Sequence, residues 1–367
     1  MLSIVAVGDI MPGGLLNGNT QPCANQDVLD ILMQGDIRCG TLECALGNNP
    51  TYDQTKVADR GNVIYAKDDD IRRLKELHID VVSLANNHFF DLGLEGAAHT
   101  IELLKNEGIK YCGAGNNLKE AGKPVVLKIK DKTVAFLAFC DTNYKNVYYC
   151  TYATENSPGI NPMAKSYVIN EIKKNVVKYD YVVVLAHWGK EHTFMPNVST
   201  VKMAEAMLKA GACLVLGSHP HRVQPVINTN NSSIVYSMGN FLFPERLIAP
   251  PKITYYSDEQ LNYSKLPVTN EYPIVDCITL KTLPFYARVG MIVNARIESN
   301  VVVSNYTFNY LEKNNTLSVL KKVKSKELEK KLQWICWLMK IRVYPIYWNV
   351  YRIIKFSQVR LKRILRY

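Results

Sequence analysis

The chain has no Cys-x-x-Cys pair; its nine cysteines, at 23, 39, 44, 112, 140, 150, 213, 277 and 336, are scattered. That excludes zinc-ribbon and thioredoxin-type sites, and an odd count in so long a chain suits reduced thiols better than a disulfide framework. No stretch reaches the roughly 18 to 20 uncharged apolar residues of a membrane-spanning helix. No basic segment precedes the first apolar run, Ser3-Ile4-Val5-Ala6-Val7-Gly8, and no small-residue cleavage site follows it. The opening therefore reads as a buried strand and not a secretory signal, and the body is expected in the cytoplasm. No Gly-x-x-x-x-Gly-Lys sequence is present, which argues against an ATP-driven ligase step by this chain itself. Acidic residues are absent from Lys330 to Tyr367, a segment that holds ten Lys and Arg. Most of the formal charge of +11 sits there, because the other 34 basic residues face 33 acids. Nothing in the near-neutral body looks like a base-reading module, so nucleic acid is not an expected partner.

What is present is a globular chain of 367 residues, 47% hydrophobic and 21% charged, long enough to bury a full core. Short Val, Ile and Leu runs fall at 3–8, 36–42, 79–85, 124–129, 132–139, 181–186, 213–216 and 234–237. Segments with helical spacing, at 70–77, 95–106, 165–178 and 201–210, lie between several of them. This alternation predicts an α/β fold with substantial parallel pairing. A hairpin at Asp131-Lys132 and a β-rich run over 273–307 add antiparallel strands, so mixed sheets are expected. The segment 247–267, with Pro250-Pro251 and Tyr255-Tyr256, reads as a long loop or insertion near the site. No boundary is visible before about 310, which divides the chain into a body, 1–310, and a helical basic tail, 311–367.

Ligands of α/β sheets bind at the carboxyl ends of strands, so the polar residue after each apolar run matters. These ends read Gly8-Asp9, Leu42-Glu43, Ala85-Asn86-Asn87-His88, Ala186-His187, Gly217-Ser218-His219-Pro220-His221 and Gly239-Asn240. Any one of them is an ordinary cap, turn or ion-pair residue. Jointly, two carboxylates, an amide and four imidazoles are expected to gather at one sheet edge as a metal site. Mixed oxygen and nitrogen donors suit Mn, Fe or Zn better than Ca or Mg, and such a set can bridge two ions. His78 and His99 stand within or beside helical segments and read as structural.

The motifs GDIMPGG (8–14), LECAL (42–46), SLANNHFFDLG (83–93), GAGNN (113–117), AHWGKEH (186–192), GSHPHRVQP (217–225) and YSMGNFLF (236–243) occur in that order. Over roughly residues 3 to 310 the chain resembles the CapA branch, the poly-γ-glutamate capsule biosynthesis proteins, of the calcineurin-like metallophosphoesterase superfamily. The resemblance implies a metallophosphatase-like αββα sandwich of two mixed sheets. It implies one or two divalent ions held by Asp9, Glu43, Asn87, His187, His219 and His221, with His88 assisting the leaving group. Two positions depart from the superfamily pattern. Asp-x-His becomes Asp9-Ile10-Met11, and thioether is a poor ligand for Mn or Zn. The bridging Asp becomes Glu43, and Glu191 or His192 is available to replace the lost ligand. Arg222 is either a fork for a substrate phosphate or carboxylate or an ordinary surface arginine. Asp91 either holds His88 in one tautomer or caps the helix starting near Leu94, the cap being the favoured reading. Two functions follow: metal-dependent phosphoester hydrolysis in capsule polymer synthesis, or non-catalytic binding of an anionic polymer within an assembly or export complex. The implied partners are the polymer or a phosphoester and membrane-embedded capsule-synthesis proteins.

In the tail, a period of 100° per residue places Ile346, Tyr347, Val350, Ile353, Ile354, Leu361, Ile364 and Leu365 on one face. Arg352, Lys355, Lys362, Arg363 and Arg366 fall on the other, and Pro345 separates this helix from Leu332–Met339, which carries Trp334 and Trp337. The pattern is that of an interfacial anchor on an anionic membrane surface, here the inner face of the cell membrane. A helix packed on its own domain with a solvated basic face is the competing expectation.

Overall fold

The computed structural model describes residues 1–16, 21–48, 63–144, 150–250, 253–255, 262–269, 275–341 and 343–364. Its first sheet opens with β1 (Leu2–Ile10), β2 (Ile37–Leu42), β3 (Val81–Ser83) and β4 (Lys110–Cys112). These four strands run parallel. The chain then builds a second sheet from β5 (Val125–Ile129), β6 (Lys132–Cys140), β7 (Tyr181–His187), β8 (Leu214–Ser218), β9 (Val226–Asn228) and β10 (Ser233–Val235). It returns to the first sheet with β11 (Asn240–Leu242), β12 (Val289–Glu298), β13 (Val301–Leu311) and β14 (Leu317–Val319). Strand order is β14-β13-β12-β1-β2-β3-β4 in the first sheet, with β11 also on β1, and β9-β10-β8-β7-β6-β5 in the second. β12 to β14, β5 and β9 pair antiparallel with their neighbours, so both sheets are mixed, with parallel centres.

The longer helices are α1 (Gln26–Leu32), α2 (Gly93–Asn106), α3 (Lys165–Val176), α4 (Val198–Lys209), α5 (Lys322–Lys340) and α6 (Tyr344–Ile364). The central strands are apolar at nearly every position because both of their faces are covered. Along β6, Val134, Phe136 and Ala138 enter the core between the sheets, while Ala135, Leu137 and Phe139 meet Val168 and Ile172 of α3 and Ala204 and Met207 of α4. β7 alternates in the same way, with Val183 and Leu185 inward and Val182, Val184 and Ala186 outward. The layers are therefore helix, sheet, sheet, helix. The expected hairpin pairs Ile129 with Lys132, and all nine cysteines are free thiols.

Three expectations change. In the expected insertion, Arg246–Ala249 pairs antiparallel with Ile253–Tyr255 and with Thr279–Lys281, so part of it is a small sheet; 251–252 and 256–261 lie outside the described residues. A boundary at 310 falls inside β13, and β14 extends the same sheet. α5 belongs to the body as well, since Leu328, Leu332, Ile335 and Leu338, spaced to share one helix face, join the core of the two sheets. Neither expectation for α6 is complete. Tyr344 and Trp348 are buried on the body, with the Tyr344 hydroxyl donating to the Pro196 carbonyl, while Ile346, Tyr347, Val350, Ile353 and Ile354 stay exposed. Pro345 lies in the first turn of α6, where a missing N–H costs no helical hydrogen bond.

Candidate metal centre

The carboxyl ends of the two parallel sheet centres meet. The Thr41 hydroxyl at the end of β2 donates to the Ser218 hydroxyl at the end of β8 at 3.0 Å. Around this junction stand Asp9, the penultimate residue of β1, Glu43 just after β2, Asn87 in the turn after β3, His187 ending β7, and His219 and His221 after β8. Asp9, Glu43 and His219 are fully buried, and His187 nearly so. The approach is close enough to require glycine: a Cβ on Gly8 would sit 1.8 Å from the Gly239 carbonyl oxygen. His219 and His221 take φ values of +91° and +50°, a conformation costly for a side chain with Cβ and held here by the surrounding contacts.

Two ligand groups result. The first is Glu43, His187 and His219; the second is Asp9, Glu43 and His221, and in each the donor atoms lie within 4.8 Å of one another. Glu43 Oε1 is 3.6 Å from His187 Nε2 and 3.6 Å from His221 Nε2. Asp9 Oδ2 lies 3.6 Å from His221 Nδ1 and accepts the His219 backbone N–H at 3.2 Å. Asn87 Oδ1 is 2.7 Å from His187 Nε2, and His219 Nδ1 is 3.1 Å from the same nitrogen. Ring orientation is fixed from behind, as metal-ligating imidazoles require. His187 Nδ1 meets the Ser218 hydroxyl at 2.9 Å, and His221 Nδ1 meets Asn240 Oδ1 at 2.7 Å, which turns His221 Nε2 towards Glu43.

Electrostatics identify what these residues suit. Burial raises the Asp9 carboxyl to about 8 despite hydrogen bonds from His219 and Ser218. Burial, then the neighbouring Asp9 charge, raises Glu43 well above the carboxylate range. Burial holds His187 and His219 well below the usual imidazole value and brings His221 to about 3, so all three are neutral at pH 7. Glu43 Oε1 and Oε2, Asp9 Oδ1 and Asn87 Nδ2 are buried with no hydrogen-bond partner among the described residues. Burying an ionised carboxylate with no compensating charge costs several kcal/mol. Without a cation, burial favours the protonated form of both acids; with one, the same oxygens and neutral imidazoles are the donor set that Mn, Fe or Zn takes. The residues fit a divalent transition metal.

The remaining expected residues are placed as follows. His88 Nδ1 is 2.7 Å from Asp91 Oδ2, which also accepts the Ile64 N–H at 2.7 Å. Asp91 is therefore not the favoured cap: α2 begins after Leu92 with no side-chain cap, because the carboxylate is held by His88 and Ile64. Glu191 belongs to neither ligand group among the described residues, and its carboxylate is 3.7 Å from His192 Nε2. The Arg222 guanidinium donates to the His221 carbonyl instead of extending as an open fork. Met11 is fully buried, and His99 pairs with Asp68 at 3.0 Å, in the structural role expected of it. Arg246 was missed. Fully buried and 5.1 Å above the Phe243 ring, it supplies positive charge that favours ionised Glu43. Its signal was positional, since Glu245-Arg246 directly follows the run ending in Phe243-Pro244.

The sequence family described as "Bacterial capsule synthesis protein PGA_cap" matches residues 3–245. "PGA biosynthesis protein CapA" of Bacillus subtilis is 32% identical over 251 residues, 67% of this chain and 64% of that protein. "Capsule biosynthesis protein CapA" of Bacillus anthracis is 31% identical over 254 residues, 66% of this chain and 60% of that protein. The chain thus spans less than two thirds of the length of these relatives. Among solved structures, the calcineurin-like phosphoesterase YfkN of Bacillus subtilis superposes with a TM-score of 0.44 at 13% identity, covering 91% of this chain and 98% of that one. The family match runs through all six residues that surround the buried carboxylate–imidazole centre, from Asp9 to His221, and the chain belongs to the PGA_cap family of bacterial capsule synthesis proteins.

Proposed function

We propose that this chain is a metal-dependent phosphoester hydrolase acting in the synthesis of an anionic capsule polymer of the poly-γ-glutamate type. The observation that carries the reading is the pair of three-residue ligand groups sharing the buried Glu43. The chemistry that divalent ions supply in such a set is charge stabilisation at a phosphoryl group and acidification of water. Asp9, Glu43, Asn87, His187, His219 and His221 would hold them. His88 has its Nδ1 engaged by Asp91, so Nε2 is the nitrogen that delivers a proton to a leaving oxygen. A separate cavity of about 400 Å³ lies between residues 190–199 and the start of α6, and its walls include Lys190, Ser199 and Arg352. Two cations in one cavity suit an anionic chain. The expected partners of such an enzyme are membrane-embedded capsule-synthesis proteins.

The second reading, polymer binding without turnover, is favoured by Met11, which leaves the group of Asp9, Glu43 and His221 with a single imidazole. One assay separates the two. Wild type supplied with Mn, Fe or Zn should hydrolyse aryl phosphates. His88→Ala should keep its metal and lose turnover by roughly 100-fold, most severely with poor leaving groups. Metal-loaded wild type that turns over no phosphoester would replace hydrolysis by polymer binding.

A further inference from the structure

The circumference of α6 divides into three arcs. Taking Ile346 as zero and about 100° per residue, Val350, Ile354 and Tyr347 follow within the next third of a turn, and their exposures are 66, 49, 54 and 38%. Tyr344 and Trp348, on the far side, are 4 and 6% exposed against the body. Asn349 and Arg352 fall between the two and are exposed. The helix is thus already docked by one apolar arc and presents a second apolar arc outward. That second arc continues onto α5. The Tyr347 ring meets the Trp334 ring edge-on at 5.8 Å between centroids, and Trp334 and Trp337, one helical turn apart, are 48 and 56% exposed. Val343, between the helices, is 52% exposed.

We infer that this surface of α5 and α6 is a docking face for an anionic lipid bilayer. Two large apolar arcs on one helix exceed what folding requires, since one already fastens it to the core. Charge selects the occupant: from Lys330 to Tyr367 there are ten Lys and Arg and no acid, and Lys330, Lys340 and Arg352 are exposed beside the apolar strip. A second copy of the chain would bring the same cations against themselves, whereas a bilayer of anionic headgroups neutralises them. Tryptophan and tyrosine at the strip's centre suit the headgroup boundary, where an amphipathic ring is half wetted. No helix among the described residues is long and apolar enough to cross a membrane, so the contact is one of lying on the surface.

The test is sedimentation of the full chain with phosphatidylglycerol-containing vesicles and with phosphatidylcholine vesicles. The wild type should bind the anionic vesicles, bind the neutral ones poorly, and lose binding as salt rises. Ile346→Ser/Val350→Ser/Ile354→Ser, all at exposed positions, should weaken binding by about tenfold or more with metal content and thermal unfolding unchanged. Trp337→Ser should weaken binding less and reduce the blue shift of tryptophan emission on vesicles, because Trp188 and Trp348 are already buried. Absence of wild-type binding to anionic vesicles, or equal binding by the triple variant, would overturn the proposal. So would dimerisation abolished by the same substitutions without vesicle binding, which would assign the face to a second copy.

Discussion

Glu43 faces His187 and His221 from one carboxylate, and Asp9 faces His221 and the His219 backbone from another; both are held away from water. Asp9, raised to about 8 by burial, is protonated at pH 7 in metal-free protein, and Glu43, equally buried, is raised as well. The imidazoles are already neutral, so the carboxyls are the proton source when metal enters. Calorimetry in buffers of different ionisation enthalpy should show net proton release on metal binding at pH 7, and apparent affinity should fall as pH drops below about 8. The sign for stability follows. An acid whose folded value is raised from 3.8 to about 8 favours the fold at low pH and loses that contribution as pH rises towards 8. Chelator should therefore destabilise the protein more at pH 8 than at pH 6; equal effects, or no proton release, would contradict this electrostatic account. The candidate ligands were legible because each follows its own apolar run. Asp91 was legible only as one of two readings, because a carboxylate near a helix start also looks like a cap, and Arg246 was not legible, because an arginine beyond the last motif looks like surface.

α5 shows what a basic helix hides. Its lysines dominate the sequence, yet Leu328, Leu332, Ile335 and Leu338 are nearly fully buried, and the Cys336 thiol lies 3.9 Å from the Val226 carbonyl of β9. Leu332→Ala should cost about 2–5 kcal/mol of stability, as for other buried leucines, measured by denaturant unfolding; a change below 1 kcal/mol would mean that α5 is only loosely attached. Deletion from residue 332 onward would consequently disturb the core, which is why point substitutions test the membrane face. The central strands were legible because their runs are apolar on both faces. The end of the body was not, since α5 carries its core contacts on a single stripe among charges, and β14 is too short to announce itself.

At the scale of the whole molecule, two sheets turn the carboxyl ends of their parallel centres towards one another, and a ligand from each side completes both groups. β1 and β2 supply the carboxylates, β7 and β8 lead to the imidazoles, and β11 supplies the Asn240 that orients His221. Neither sheet holds a full set alone, so metal binding by either group would require the assembly of both sheets. The shared carboxylate predicts a graded pattern. Metal-to-protein ratios, measured by elemental analysis on protein purified without chelator and then supplied with Mn or Zn, should be two for wild type and near one for His219→Ala and for His221→Ala, with almost none for Glu43→Gln. Wild-type ratios in all three variants would contradict a metal centre built on Glu43.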